Sequence, residues 1–277
     1  MFKNSRKIDD NVSDLLAQLA ANKIGISLLR KFIKEEGVPR FKTYVGYICE
    51  NASQCVQKLL VDFSTKNNLQ EIDTVENSEF MDDGTELKLK LTINRKKRSA
   101  VFDFTGTGTQ ILGNTNAPYS ITRSAILYSL RSLIGKDIPL NSGCLEPIEI
   151  IIPPESILSP SKNSAVVGGN VETSQRIVDL ILKPFGVVAA SQGTMNNFLF
   201  GNNTISYYET IAGGSGAGEG FNGRTCQVHM TNTRITDVEH LEQKYPVILR
   251  EFGIRNNSGG KGKYCGGNGV VREFMFL

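Results

Sequence analysis

Glycine constrains this chain more than any other residue. Most of its 27 glycines lie after residue 105, and two runs, GGSGAGEG at 213–220 and SGGKGKYCGGNG at 258–269, are too glycine-rich to propagate a helix. A flexible linker is one reading of such runs. Charged and aromatic residues interrupt both, however, and regular elements flank them. The pattern therefore predicts tight turns in a packed domain, with backbone N–H groups left pointing at a ligand.

Upstream of the glycines the pattern is helical. Asn11 is suited to cap a helix carrying Leu15, Leu16 and Leu19, with Gly25 as a break and Gly37 as a stop. After Pro39, residues Tyr44, Val45, Ile48, Ala52, Cys55, Val56, Leu59 and Phe63 form one apolar stripe. The expected organisation is a helical segment over 1–65, a polar linker or loop over 66–84, and a glycine-rich α+β core over 85–277.

Within that core, ELKLKLTI sets Leu87, Leu89, Leu91 and Ile93 against polar neighbours, and SAVFDFT resumes the alternation after RKKR. That predicts two strands joined at a solvated basic tip. Further elements are expected at Ile121–Ile134 (helix), Pro147–Ile152 (strand), Val171–Leu182 (helix, ended by Pro184) and Ile205–Ile211 (strand). Thr236 and Glu239 form a capping box for a last helix, to about Tyr245. The fold class is mixed α+β, an N-terminal helical segment followed by a glycine-rich β-containing core with interspersed helices.

Composition excludes several functions. The net charge of +3, with only RKKR as a basic cluster, argues against a nucleic-acid partner. No apolar run approaches a membrane span, and five scattered cysteines without a CxxC pair suit free thiols in a reducing compartment. The expected location is cytoplasmic.

Familiar chemical motifs are missing. There is no GxxxxGK[ST], no GxGxxG after a strand, no HExxH and no nucleophile elbow, so neither a phosphate cradle nor a metal site is expected from this sequence. Two histidines occur: His240 falls on the solvent side of a charged helix, whereas His229 sits in HMTNTR beside Asn232 and Arg234. Carboxamides recur beside glycine or element ends, at Asn114, Asn116, Asn170, Gln175, Gln192, Asn196 and Asn197. An uncharged group that both donates and accepts suits an amide-like small molecule or a developing oxyanion. Asn beside Gly also simply makes turns. Asn170, Glu172 and Thr173 would open a helix whose free N–H groups face an anion, with Arg176 placed to pair with Glu172.

NVSDLLAQLAANKIG, VFDFTGTG, GNTNAP, VVGGNVETSQRIVD, ASQGTMNNFLFGN, YYETIAGGSGAG, HMTNTRITDVEHLEQKYPVIL and SGGKGKYCGGNGVVREF, in that order, resemble the hydantoinase B/oxoprolinase family. The resemblance implies ATP-dependent opening of a cyclic amide, 5-oxo-L-proline to L-glutamate in glutathione metabolism, with hydantoin-type substrates as the alternative. It implies ATP and Mg2+ held by regions this sequence does not show, and a hydantoinase A-type partner. An oligomer is implied for the intact enzyme, with no membrane. The chain is therefore expected to be a fragment or one subunit of such an enzyme; a non-catalytic binding module is the reading from another class. His229, Asn232, Arg234 and Glu209 are the candidate catalytic residues. Asn114, Asn116, Asn170, Glu172, Asn196 and Asn197 are the candidate substrate contacts.

Overall fold

A computed structural model describes residues 8–227 and 233–277. Two 29-residue helices come first, α1 (Ile8–Glu36) and α2 (Val38–Lys66). The described part of α1 already begins at Ile8, so Asn11 lies inside it rather than capping it. The helix also runs through Gly25, where one flexible residue costs so long a helix only about 1 kcal/mol. Gly37 does end it, at φ 81, a conformation that side-chain-bearing residues avoid. The apolar stripe of α2 is buried only in its second half, at Ala52, Val56 and Leu60.

The segment expected to be a linker instead carries β1 (Ile72–Phe80). No side chain of β1 is buried, so the period-two apolar signal that marks a half-buried strand is missing. It is held as an edge strand by its full antiparallel ladder with β2 (Glu86–Asn94). Along β2 the alternation is as expected: Leu87, Leu89, Leu91 and Ile93 are each at most 1% exposed. The basic turn Arg95–Arg98 leads into β3 (Ser99–Asp103), antiparallel to β2, and β4 (Ile148–Ile151) adds in parallel to β3. The sheet order is β1-β2-β3-β4.

Against this sheet pack α4 (Ser174–Leu182) and the second half of α2, and α3 (Tyr119–Leu133) packs on α4. Phe102, Phe104, Leu60, Ile126, Leu130, Ile177 and Ile181 are completely buried in the core between them. α4 is buried at seven of its nine positions. It is entered through a π-helical turn at Gly169–Thr173 rather than from a cap at Asn170. Gly169 is required there, because a Cβ would lie 2.3 Å from the Asn116 carbonyl oxygen.

Two small antiparallel ladders form the glycine-rich end: β5 (Asn197–Gly201) with β6 (Ser206–Thr210), and β7 (Val247–Ile254) with β8 (Val270–Phe276). Between them lies α5 (Val238–Lys244), capped by the Asp237 carboxylate, which accepts from the N–H groups of Glu239 and His240. Asp237, not Thr236, is therefore the N-cap. Phe200, Tyr207, Tyr245 and Phe274 make a second, aromatic core beneath these ladders.

Candidate functional site

The two glycine runs meet backbone on backbone. A Cβ on Gly214 would sit 1.8 Å from the Gly267 carbonyl oxygen, one on Gly267 1.9 Å from that of Arg224, and one on Gly223 2.0 Å from that of Ser215. Only glycine permits such contact. Contrary to expectation, their N–H groups are not all left for a ligand: Gly267 donates to Ser215, Gly223 to Cys265 and Gly266 to Gly260. The glycines thus build the walls of a site more than they supply its donors.

Those walls enclose a cleft of about 660 Å3. Its polar lining is Ser191, Gln192, Asn196, Ser215, Arg255, Ser258, Lys261 and Tyr264. Asp179, buried on α4, fixes one rim by accepting from both the N–H and the hydroxyl of Ser191. Both amide atoms of Gln192 are buried without a hydrogen-bond partner, beside Gly213, whose added Cβ would be 2.8 Å from the Gln192 Cδ. Unsatisfied atoms of this kind cost about 1–3 kcal/mol each. An adjoining cleft of about 720 Å3 shares Ala212 and Val270 and adds Arg224, Cys226, Gln227, Thr233 and Arg234 beside Phe252 and Ile254. Every charged residue lining either cleft is basic, among the described residues.

The sequence candidates are dispersed. Asn196 lines the first cleft, at φ 50, where asparagine is tolerated, and Arg234 lines the second. Glu172 lies at a separate cavity of about 230 Å3, where its carboxylate accepts from the Thr194 hydroxyl and Arg176 pairs with Asp82 at 3.1 Å. Arg176 therefore does not pair with Glu172. Asn116 is fully buried, its amide bonded to Ile111, Gly113 and Ala165, which is loop-holding work. Asn114 and Asn170 are exposed away from both clefts; the carbonyl of Asn170 accepts from the Ser174 hydroxyl. Asn197 bonds Thr210 across the β5–β6 ladder. Glu209 is 4% exposed, with Arg272 Nε 3.0 Å from Oε1 and Tyr207 donating to Oε2 at 2.5 Å. Burial, and then the hydrogen bond to Glu209, push the Tyr207 phenol up to about 12. His229 and Asn232 lie outside the described residues, between Gln227 and Thr233, which both line the second cleft.

Arg224, Arg255, Lys261 and Tyr264 escaped the sequence reading. The available signal was that Lys261 and Tyr264 interrupt a glycine run, which identifies a packed turn but not which way it faces. The cysteines among the described residues are free thiols, and burial pushes that of Cys144 up, away from nucleophilic use. The described cleft linings contain no carboxylate, so this donor set does not fit Mg2+, which favours carboxylate oxygens. No group of three metal-binding side chains stands together among the described residues either.

The chain is 56% identical over its whole length to a 5-oxoprolinase of Dictyostelium discoideum, and 51% identical over 98% of its length to 5-oxoprolinase 1 of Arabidopsis thaliana. In each case it spans 22% of the relative's length. The fold superposes on an ATP-dependent caprolactamase from Pseudomonas jessenii with a TM-score of 0.83, covering 99% of this chain and 49% of that one at 18% identity. The match to the family described as hydantoinase B/oxoprolinase runs from residue 1 to residue 277, and the chain belongs to that family.

Proposed function

We propose that this chain forms the lactam-binding side of an ATP-dependent 5-oxoprolinase, which opens 5-oxo-L-proline to L-glutamate. The observation that carries the reading is the lining of the glycine-walled cleft. It combines Arg255 and Lys261 with neutral amide and hydroxyl groups and lacks any carboxylate among the described residues. 5-Oxoproline is an anion that also bears a lactam, and such a lining complements both halves. Arg255 and Lys261 take its carboxylate in this reading. Asn196 and the unpartnered Gln192 amide offer a donor and an acceptor to its ring amide. Arg234, with His229 and Asn232, is assigned to the reacting side. Glu209 is assigned to positioning, since both its oxygens are engaged.

ATP supplies the driving force for opening an unstrained lactam, and the nucleotide and its Mg2+ belong in this reading to a hydantoinase A-type region or partner. The names of the two relatives support it, as does the basic, carboxylate-free lining of the clefts. The free thiols accord with a reducing, cytoplasmic setting.

Calorimetric titration of the 277-residue chain with 5-oxo-L-proline tests the proposal. Saturable binding is expected, weakened about tenfold or more by Arg255→Ala, the size of one lost charge-assisted hydrogen bond. L-proline, which lacks the ring carbonyl, should bind less well. Binding that ignores Arg255→Ala, or no binding at all, would refute it, and a preference for hydantoin would redirect it to that substrate.

A further inference from the structure

Gln192 brings to the lining of the glycine-walled cleft a side-chain donor and a side-chain acceptor that are both buried without a partner. Native folds leave few such atoms, because each gives up its hydrogen bonds to water and gains nothing in return. The chain on either side of Gln192 is anchored. The Ser191 N–H and hydroxyl both donate to Asp179, at 3.1 and 2.9 Å, and the Gly193 N–H donates to the Ser191 hydroxyl oxygen at 3.1 Å. Gly193 stands at φ 70, and the Arg176 guanidinium carbon would be 2.6 Å from a Cβ placed on it, so this bend admits no side chain. The Gln192 side chain therefore starts from a fixed point.

It lies on Gly213. A Cβ added there would come within 2.8 Å of Cδ, 2.9 Å of Oε1 and 3.1 Å of Nε2 of Gln192. Three distances so nearly equal mean that the flat face of the carboxamide, not its edge, rests over Gly213. The oxygen and nitrogen then stand side by side along the wall, one acceptor and one donor on a common edge. Exchanging them by a half-turn reverses their order and leaves the pair intact.

We infer that Gln192 is the specificity-determining residue of the cleft, and that it selects a secondary amide held cis, with a free N–H, through two reciprocal hydrogen bonds. This selectivity rests on the lactam-binding reading of the cleft and adds to it the feature of the amide that is recognised. In a cis amide the N–H and C=O point to the same side, so both meet one carboxamide edge: Nε2 donates to the ring carbonyl, and the ring N–H donates to Oε1. In a trans amide they point to opposite sides, and one carboxamide reaches only one of them. A five-membered ring forces the amide cis, whereas an open chain adopts that form at a disadvantage of about 100-fold. A hydantoin carries the same cis pair, so Gln192 reads ring amides as a class. A lactone has a ring oxygen where the N–H would be, and sets an acceptor against Oε1. Rotation about the terminal side-chain bond, a torsion of broad freedom, turns both atoms from the wall to the ligand together, because they share one plane.

Calorimetric titration of the 277-residue chain with three carboxylates tests this: 5-oxo-L-proline, its open-chain counterpart N-acetyl-L-alanine, and the lactone of matching ring size. The parent should prefer 5-oxo-L-proline to N-acetyl-L-alanine by about 100-fold and to the lactone by about tenfold. Gln192→Met keeps the length and removes both polar atoms, so the first preference should shrink by about tenfold or more and the second should disappear. The same variant should unfold at an equal or higher urea concentration, since the unmet donor and acceptor are gone. Gln192→Glu gives a second readout. Its carboxylate has no donor and should bind 5-oxo-L-proline poorly at about pH 7.5. Its neutral acid again sets a donor beside an acceptor, so affinity should recover as pH falls towards about 5, where the ligand remains ionised. The parent should show no such recovery. Arg255→Ala separates the two levels: all three ligands share the carboxylate, so it should weaken them alike and leave the preferences in place. Arg255-dependent binding with no preference for the ring amide, or with that preference intact in Gln192→Met, overturns the role of Gln192 alone. So does a Gln192→Met variant that loses stability and affinity for all three ligands alike, or a Gln192→Glu variant that acid does not rescue. A chain that binds none of the three overturns the lactam-binding reading and the role of Gln192 with it.

Discussion

Burying a guanidinium and a carboxylate together costs more than their attraction returns unless further groups hold each of them. Arg272 and Glu209 meet that condition unevenly. Glu209 has Tyr207 on its second oxygen, while Arg272 donates to the Thr236 carbonyl and stacks on Phe252 and Phe274 at 4.7 and 5.5 Å, with Nη1 left unpartnered. The group ties β6 to β8 and the chain ahead of α5. Glu209→Gln is therefore expected to cost about 3–5 kcal/mol in urea unfolding, because it strands a buried cation. The same variant should report on Tyr207. Its phenol titrates near 10 when unfolded and about 12 when folded, so its stabilising contribution is complete below pH 10 and is lost as pH rises from 10 through about 12. In Glu209→Gln that alkaline loss should still start near 10 but level off at a lower pH and be smaller, without vanishing, since burial remains. Glu209 was legible in the sequence as a carboxylate beside a glycine run; that Arg272, 63 residues on, would occupy it was not. Nothing local distinguishes a buried partnered carboxylate from a catalytic one.

At the scale of elements, the clefts depend on glycine where carbonyls approach and not elsewhere. Gly214→Ala is expected to destabilise by about 1–3 kcal/mol and to weaken ligand binding, as the new methyl meets the Gly267 carbonyl. Gly260→Ala, with nothing within 4 Å of the added carbon, should stay within about 0.5 kcal/mol of the parent in the same denaturation assay. Gly260 shares its run with Gly267, whose added carbon would lie 1.9 Å from the Arg224 carbonyl oxygen, so one run holds both a replaceable glycine and a required one, and composition cannot separate them. β2 and β3 were readable because one face of each meets the core. β1 was not, because its order comes from a backbone ladder that leaves no periodic trace in side chains. The choice of Asp237 over Thr236 as cap is a one-residue difference that backbone geometry alone decides.

Across the whole molecule, α2 belongs to two environments. Its second half is locked into the main core through Ala52, Val56 and Leu60, and its first half leaves Val45 42% and Ile48 43% exposed. Leu60→Ala should cost about 2–5 kcal/mol in thermal or urea unfolding of the single chain, whereas Leu16→Ala on α1 should cost less than about 0.5. Within the described residues no helix is long and apolar enough to cross a membrane. The sequence by itself determined the helical beginning, the β2–β3 hairpin, the α+β class and the family, because each is written in local periodicity or in ordered strings. Only the tertiary structure decided which polar residues share a cleft. Asn196 came beside Arg255 and Lys261 while Asn116, Asn197 and Glu209 were drawn into hydrogen bonds elsewhere, since that sorting depends on contacts between residues far apart in the chain.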